Sequence, residues 1–408
     1  MRQRVLLVNT RHFRGGGDST YTFNLAGLLR ARGHEVAFFA MRDERNLPDP
    51  NADLFVDPID FLDLNEHKSP ATGLKVIGRA IYSAAARRNF ARLVDRFAPD
   101  VVHLQNIHHH ITPAVILEAR QRGLPVVWTL HDYKLICPNT HFLIDRTGEI
   151  CEACGQNRYY QAMFRRCKKG SFLASSVATG EAYVHRLMRV RSMVDVFLAP
   201  SGFLRQKFID RGFPSERVHH LPLFLPEDTF TIGRQGDGYM LFFGRIELIK
   251  GIVPLLAAST LVPELPLVLA GRVRGSLADE LPGMLPPNAQ YAGMKNGDEL
   301  RDLLDRARAV VLPSLWYENQ PFSILEAFAA GKPVIASDLG GMRELVAGEQ
   351  RGLLVPPGDV HALARAMKWV YTHPEEAREM GQQAYAYACA RHSPERHYDQ
   401  LAAIYDAL

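Results

Sequence analysis

The chain is punctuated by short apolar runs that do not alternate. Each is followed by a glycine-rich or polar loop and then by a stretch of helical periodicity. Val5-Val8 leads into a loop, Asn9 to Gly17, that closes on Gly15-Gly16-Gly17. Tyr21, Leu25, Leu28 and Leu29 then recur at helical spacing, Gly33 supplies a stop, and Val36-Ala40 is again apolar. That order is a βαβ unit. Runs without alternation fit parallel strands covered on both faces. The pattern returns at Val101-Leu104, Val126-Leu130 and Val196-Ala199, with a helix predicted over 113–123. A second series runs through Tyr239-Phe243, Leu267-Ala270, Val310-Leu312, Val334-Ala336 and Leu353-Val355. Between the two series lie Leu221-Pro222-Leu223-Phe224-Leu225-Pro226 and the glycine-rich stretch 233–238, which read as a linker. At 408 residues the chain exceeds one ordinary core. The expectation is α/β: two doubly wound domains, 1–226 and 227–392, facing each other across a cleft. A C-terminal helix over 393–408 packs back on the first. Hydrophobic content of 47% and charged content of 23% exclude wholesale disorder. No apolar run approaches the ~20 residues of a membrane span, and the first apolar stretch is short for a signal peptide. A cytoplasmic location is therefore expected.

Ligands of open α/β sheets sit at the carboxyl ends of strands, so the loops there carry the argument. After Tyr239-Phe243 stand Gly244, Arg245, Lys250 and Gly251. An arginine fork and a lysine point charge at a strand end can clamp a diphosphate. The bland alternative is a solvated loop. After Val310-Leu312 comes Pro313 to Gly331. Glu318 falls in the loop and Glu326 about one turn into a helix that Pro321 opens and Gly331 ends. Backbone N–H groups near 319–323 favour an anion or sugar oxygens. In the first half, His131-Asp132 follows one strand, and Asn106, His108, His109 and His110 follow another. A histidine at a strand end can bond a sugar or assist proton transfer. One or two of the histidine run reach the cleft and the rest face water. Asp18 either takes a proton from an acceptor hydroxyl or caps the helix that follows.

The run Glu318 to Glu326, continued through Gly331-Lys332-Pro333 and Gly340-Gly341-Met342-Arg343-Glu344, resembles the GT-B glycosyltransferases of family 4. So do Gly244-Arg245…Lys250-Gly251, Gly15-Gly16-Gly17 and Arg32-Gly33-His34-Glu35-Val36. The motifs occur in family order along nearly the whole chain. The resemblance implies the GT-B fold of two Rossmann-like domains. It also implies sugar transfer from a nucleotide-diphosphate sugar with retention of anomeric configuration. Arg245 and Lys250 would hold the diphosphate, Glu326 the ribose hydroxyls, and Glu318 the donor sugar. The backbone of Asn319, Gln320, Pro321 and Phe322 would bind sugar hydroxyls, and Gly16 and Gly17 would approach the phosphates. His131, Glu318 and Asp18 are the expected catalytic set. Asn106, His108 and His109 are placed on the side of a saccharide or lipid-linked acceptor. No catalytic metal is implied. Asn319-Gln320-Pro321-Phe322-Ser323 departs from the family's frequent Pro-Phe-Gly, and Ile249 replaces a frequent glutamate. A nucleotide-sugar epimerase and a non-catalytic nucleotide-sugar-binding relative are the competing readings.

Two features stand outside this scheme. Cys137, Cys151, Cys154 and Cys167 lie within 31 residues, in an insert at about 137–170. The CxxC core and ligand count suit structural zinc. Free thiols, a redox pair and an iron–sulfur cluster are the alternatives. Residues 156–191 carry Arg158, Arg165, Arg166, Lys168, Lys169, Arg186, Arg189 and Arg191 against Glu181 alone, with aromatic residues interleaved. That composition suits an anionic membrane surface, on the inner face of the cell membrane, or a solvated basic face. The net charge of +4 is small, and no nucleic-acid partner is expected.

Overall fold

A computed structural model describes residues 2–59, 70–233, 238–275, 277–346 and 350–408. The chain forms two compact units. One comprises residues 1–200, 205–221 and 398–408; the other comprises 201–204 and 222–397. The glycine-rich part of the expected linker, 234–237, lies outside the described residues.

The first unit is built on a six-stranded parallel sheet in the order β2-β1-β3-β4-β7-β8. Its strands are β1 (Arg4–Val8), β2 (Glu35–Phe39), β3 (Val101–Leu104), β4 (Val126–Thr129), β7 (Val196–Ala199) and β8 (Val218–His220). The central strands are buried along their length, Val101–Leu104 and Val126–Thr129 entirely so. This is why they read as continuous apolar runs. A two-stranded hairpin, β5 (Leu143–Ile144) with β6 (Glu149–Ile150), stands apart inside the cysteine insert. The closing helix Pro394–Asp406 contributes residues 398–408 to this unit. Tyr398 bonds His34 at 2.9 Å, and Tyr405 bonds the fully buried His103 at 2.6 Å.

The second unit carries another six-stranded parallel sheet, ordered β11-β10-β9-β12-β13-β14. Its strands are β9 (Tyr239–Phe243), β10 (Leu267–Ala270), β11 (Ala289–Tyr291), β12 (Ala307–Leu312), β13 (Val334–Ser337) and β14 (Gly352–Val355). In both sheets the order reverses direction next to the first strand of the unit. The switch points are therefore β1/β3 and β9/β12, where ligands of open α/β sheets settle. Two edge strands, β8 and β11, escape the sequence pattern because each spans three residues and is largely exposed or half-buried.

Candidate functional site

In the second unit the loop after β9 and the loop after β12 meet at the switch point. Gly251 makes this approach feasible. Its φ is +75°, and a Cβ there would lie 1.9 Å from the Pro313 carbonyl oxygen. The contact brings Lys250 to Glu318 across 68 positions, with Nζ donating to Oε1 at 2.5 Å. The same carboxylate oxygen accepts from Ser314 Oγ at 2.8 Å and Trp316 Nε1 at 2.9 Å. Burial pushes the Glu318 pKa up. The Lys250 charge, hydrogen bonds from Lys250 and Ser314, and the Arg245 charge outweigh it, so the group stays below the usual carboxylate range. Lys250 also lies 5.5 Å from the centroid of the Trp316 ring. Arg245 meets Glu247 at 3.2 Å, and Arg274 approaches the same carboxylate at 3.7 Å.

The helix Phe322–Ala329 starts behind Pro321, with no side chain capping its first N–H groups. Glu326 lies one turn in and is half-buried, and burial raises its pKa to about 7. The two glutamates are thus opposites: one held ionised by a cation, one poised to titrate near neutrality. Gly341 locks the loop from the other side. Its N–H donates to the Glu318 carbonyl at 2.8 Å, and a Cβ there would fall 1.6 Å from the Asn319 carbonyl oxygen. Asn319 Oδ1 accepts from Ser201 Oγ at 2.8 Å.

In the first unit, Gln105, Asn106, His108, Trp128, Leu130, His131, Asp132 and Leu135 line a cavity of about 10 Å³, room for about one water. His131 pairs through Nε2 with Gln105 Oε1 at 2.7 Å, and its ring lies 5.5 Å from that of Tyr21. Burial lowers its pKa despite the pull of Asp18 and Asp132, so the imidazole is neutral at pH 7. His108 Nε2 meets Asp132 Oδ1 at 3.2 Å. Asn106 shapes the strand end: its carbonyl accepts from Thr10 N at 2.7 Å, and its Oδ1 accepts from His108 N at 3.3 Å. The helix Gly17–Ala31 begins at the triple glycine. Gly16 is its N-cap, and Ser19 Oγ bridges Gly15 N and Gly16 O. Asp18 is therefore inside the first turn and not the cap. It faces Arg11 at 3.7 Å.

The family model "Glycosyl transferase 4-like domain" matches residues 16–223, and "Glycosyl transferases group 1" matches residues 227–387. The chain belongs to the family 4 GT-B glycosyltransferases. It is 33% identical over 155 residues to D-rhamnosyltransferase WbpZ of Pseudomonas aeruginosa, a stretch covering 37% of this chain and 40% of that protein. The match thus spans well under two thirds of that relative's length. Sucrose-phosphate synthase from Thermosynechococcus elongatus superposes over 100% of this chain and 99% of its own, with TM-score 0.71 and 21% identity. Anabaena HepE in complex with UDP-glucose does so over 100% of both chains, with TM-score 0.68 and 16% identity. These likenesses establish the GT-B fold.

Within this GT-B chain the expected residues divide. Arg245, Lys250, Glu318, Asn319, Pro321, Phe322 and Glu326 collect at the β9/β12 switch point of the second unit. Gly16, Gly17 and Asp18 follow β1, while Asn106, His108 and His131 follow β3 and β4. Two side chains are diverted. Gln320 is buried, and its Oε1 accepts from Leu223 N at 2.6 Å, so the amide anchors backbone. His109 does not line the cavity. Its φ of +67° turns it toward Glu181, 3.7 Å away, and burial lowers its pKa to about 3. Nor does the rest of the histidine run face water, since His110 Nδ1 accepts from Ile59 N at 3.0 Å. The basic stretch is also thinner than its composition. Arg191 is drawn inward to Leu135 O at 2.9 Å and to Tyr159 Oη. Ser314, Trp316 and Gln105 were not anticipated. Their only sequence signal is position, just past a strand end.

Proposed function

We propose that this chain transfers a sugar from a nucleoside-diphosphate sugar to a saccharide or lipid-linked acceptor, with retention, in the building of a surface polysaccharide or glycolipid. The observation that carries the reading is the set Arg245, Lys250 and Glu318 at the switch point of the second sheet, with Glu326 on the adjoining helix. When the bond from the anomeric carbon to phosphate breaks, negative charge grows on the departing diphosphate. Arg245, Lys250 and the uncapped N–H groups at Phe322 supply positive potential there. Lysine has three N–H bonds, so Lys250 can serve a phosphate while still bonded to Glu318. Ionised Glu326 accepts from the ribose hydroxyls. A relative solved with UDP-glucose supports the donor class.

The acceptor is assigned to the first unit, at the cavity bearing Asn106, His108 and His131. Neutral His131 orients a hydroxyl, and Asp18 adds negative charge next to it. The new bond forms on the face that the phosphate leaves, and the acceptor's proton passes to the departing phosphate oxygen. This front-face course needs no carboxylate nucleophile. Exposed Phe164, Phe172, Leu173 and Leu187 stand among exposed Arg158, Arg165, Arg166, Lys169, Arg186 and Arg189. Such a surface supports docking on an anionic leaflet that presents the acceptor. Among the described residues no helix is long and apolar enough to cross a membrane.

The test is turnover. Nucleoside diphosphate should appear only when both donor and acceptor are present, and NMR of the product should show the donor's anomeric configuration. Inversion, or a sugar adduct on a side chain seen by intact mass, overturns the front-face course. Free release of an epimerised nucleotide sugar without acceptor overturns the transfer itself.

A further inference from the structure

The four clustered cysteines take no part in that chemistry. They sit in the insert between β4 and β7, where all of them are free thiols; Cys137, Cys154 and Cys167 are buried and Cys151 half-buried. Beyond Phe142 and Leu143 the insert has little core of its own. Its buried cluster is Ile144, Cys154, Tyr159, Ala162 and Cys167, with Cys151 packed against it. A fold fragment this thin needs a staple.

The backbone folds to bring the sulfurs together. Cys151 N donates to Phe142 O at 2.7 Å, which closes the β5/β6 hairpin. Asp145 N donates to Cys167 O at 2.9 Å, which ties the last cysteine to that hairpin. Asn139 Nδ2 reinforces the tie, donating to Leu143 O at 2.8 Å and Cys167 O at 3.1 Å. As a result Cys151 and Cys167 are in hydrogen-bond contact, Cys151 acts on Cys137 and Cys154, and Cys167 feels all three. Backbone N–H groups converge on the sulfurs from outside: Asn139, Thr140 and Phe142 on Cys137, Ala153 on Cys151, and Ala162 on Cys154. N–H donors of this kind orient and stabilise thiolates around a metal. Two cations complete the surroundings. Arg165 acts on Cys151 and Arg211 on Cys154. The Arg211 side chain is only 9% exposed, and its Nη1 is buried without a hydrogen-bond partner. Arg211 already pairs with Glu152 Oε2 at 3.1 Å, and its remaining donor, Nη1, suits an anionic tetrathiolate beside it.

We propose that Cys137, Cys151, Cys154 and Cys167 bind one Zn²⁺ as a closed structural site that holds the insert together. Four thiols and one Zn²⁺ give the tetrathiolate complex, of net charge −2, and four protons. Among the described residues no three His, Cys, Asp or Glu side chains already stand at cation-holding geometry, so binding draws the sulfurs inward by rotation about χ1. The Cys151–Cys167 contact favours a single ion. Zn–S bonds of about 2.3 Å set sulfurs about 3.8 Å apart, whereas sulfurs around an iron–sulfur cube bind different irons and stand farther apart.

The full-length protein, purified in reducing buffer without added metal, should contain one zinc per chain by elemental mass spectrometry. Titration of its thiols with a mercurial should release that zinc as four thiols react. Cys154→Ser and Cys167→Ser should retain less than a tenth of it, and Cys389→Ser all of it. Because the serine variants can fail to fold, cobalt exchange into the wild-type chain provides a second readout: thiolate-to-cobalt charge transfer and tetrahedral visible bands. A folded, metal-free wild-type protein, stoichiometric iron, or a disulfide between these cysteines would each overturn the proposal. Stabilisation by added nucleoside diphosphate, measured on the same sample, reports the second unit separately. A failure of the zinc site therefore leaves the transferase reading to stand or fall by itself.

Discussion

Each unit holds a lysine–glutamate pair made by residues far apart in sequence, and the two pairs differ in what surrounds them. In the first unit Lys134 meets Glu181 at 2.6 Å, with side-chain exposures of 3% and 5%. Burial would raise the Glu181 pKa, but Lys134 and His109 bring it down to about 2. In the second unit Lys250 meets Glu318 at 2.5 Å with exposures of 12% and 7%. That pair stands at a switch point, beside Arg245 and a helix start. One contact type thus serves two ends. The first pair neutralises charge inside a packed region, and the second, on the function proposed above, keeps a cation in place for an incoming anion.

The largest expected effect separates the pairs by stability. Lys134→Met leaves Glu181 charged and buried, and should cost about 3–5 kcal/mol in urea unfolding. Lys134→Met combined with Glu181→Met should recover most of that loss. If the single variant is as stable as wild type, the first pair is not structural. Conversely, Lys250→Ala should lower kcat/KM by roughly 10²–10³-fold, with a smaller shift of the unfolding midpoint than Lys134→Met. Equal shifts in both variants would erase the distinction.

Glu326 sharpens the contrast through pH. Its folded-state pKa of about 7 lies above the ordinary value of 4.5. Its protonated form is therefore favoured by the fold, and stability falls as pH rises from about 4.5 through 7. The ionised form is the better acceptor for ribose hydroxyls, so nucleoside diphosphate should bind more tightly at pH 8 than at pH 6. Calorimetry on Glu326→Gln should show that slope flattened and about 1.5–3 kcal/mol of binding lost at pH 8. An unchanged slope would remove Glu326 from the nucleotide site. The smallest effect belongs to Ser314→Ala, which deletes one of three donors to Glu318 and should cost about 1 kcal/mol in stability.

Much of this is legible in the sequence alone. Buried parallel strands declare themselves as apolar runs, and glycines that permit loop contact, such as Gly251 and Gly341, fall inside recognisable motifs. Lys250 and Glu318 were each visible, but their pairing was not, because a register across 68 positions is set by the β9–β12 alignment and not by local pattern. His109 shows the reverse failure: it stands in a stretch that points to the site, and its side chain is claimed by Glu181. The Gln320 side chain is likewise claimed, by the Leu223 N–H, which leaves the expectation for its backbone as it was. Short-range signals place backbone at a site, but competing hydrogen-bond partners decide which side chains stay there.

Tyr405 fills a hydrogen-bond position on His103, which lies 302 positions earlier. A nascent chain emerges at about 5–20 residues per second, so that imidazole waits roughly 15–60 s for its phenol. The first unit therefore receives this part of its cover only after the second unit has been made.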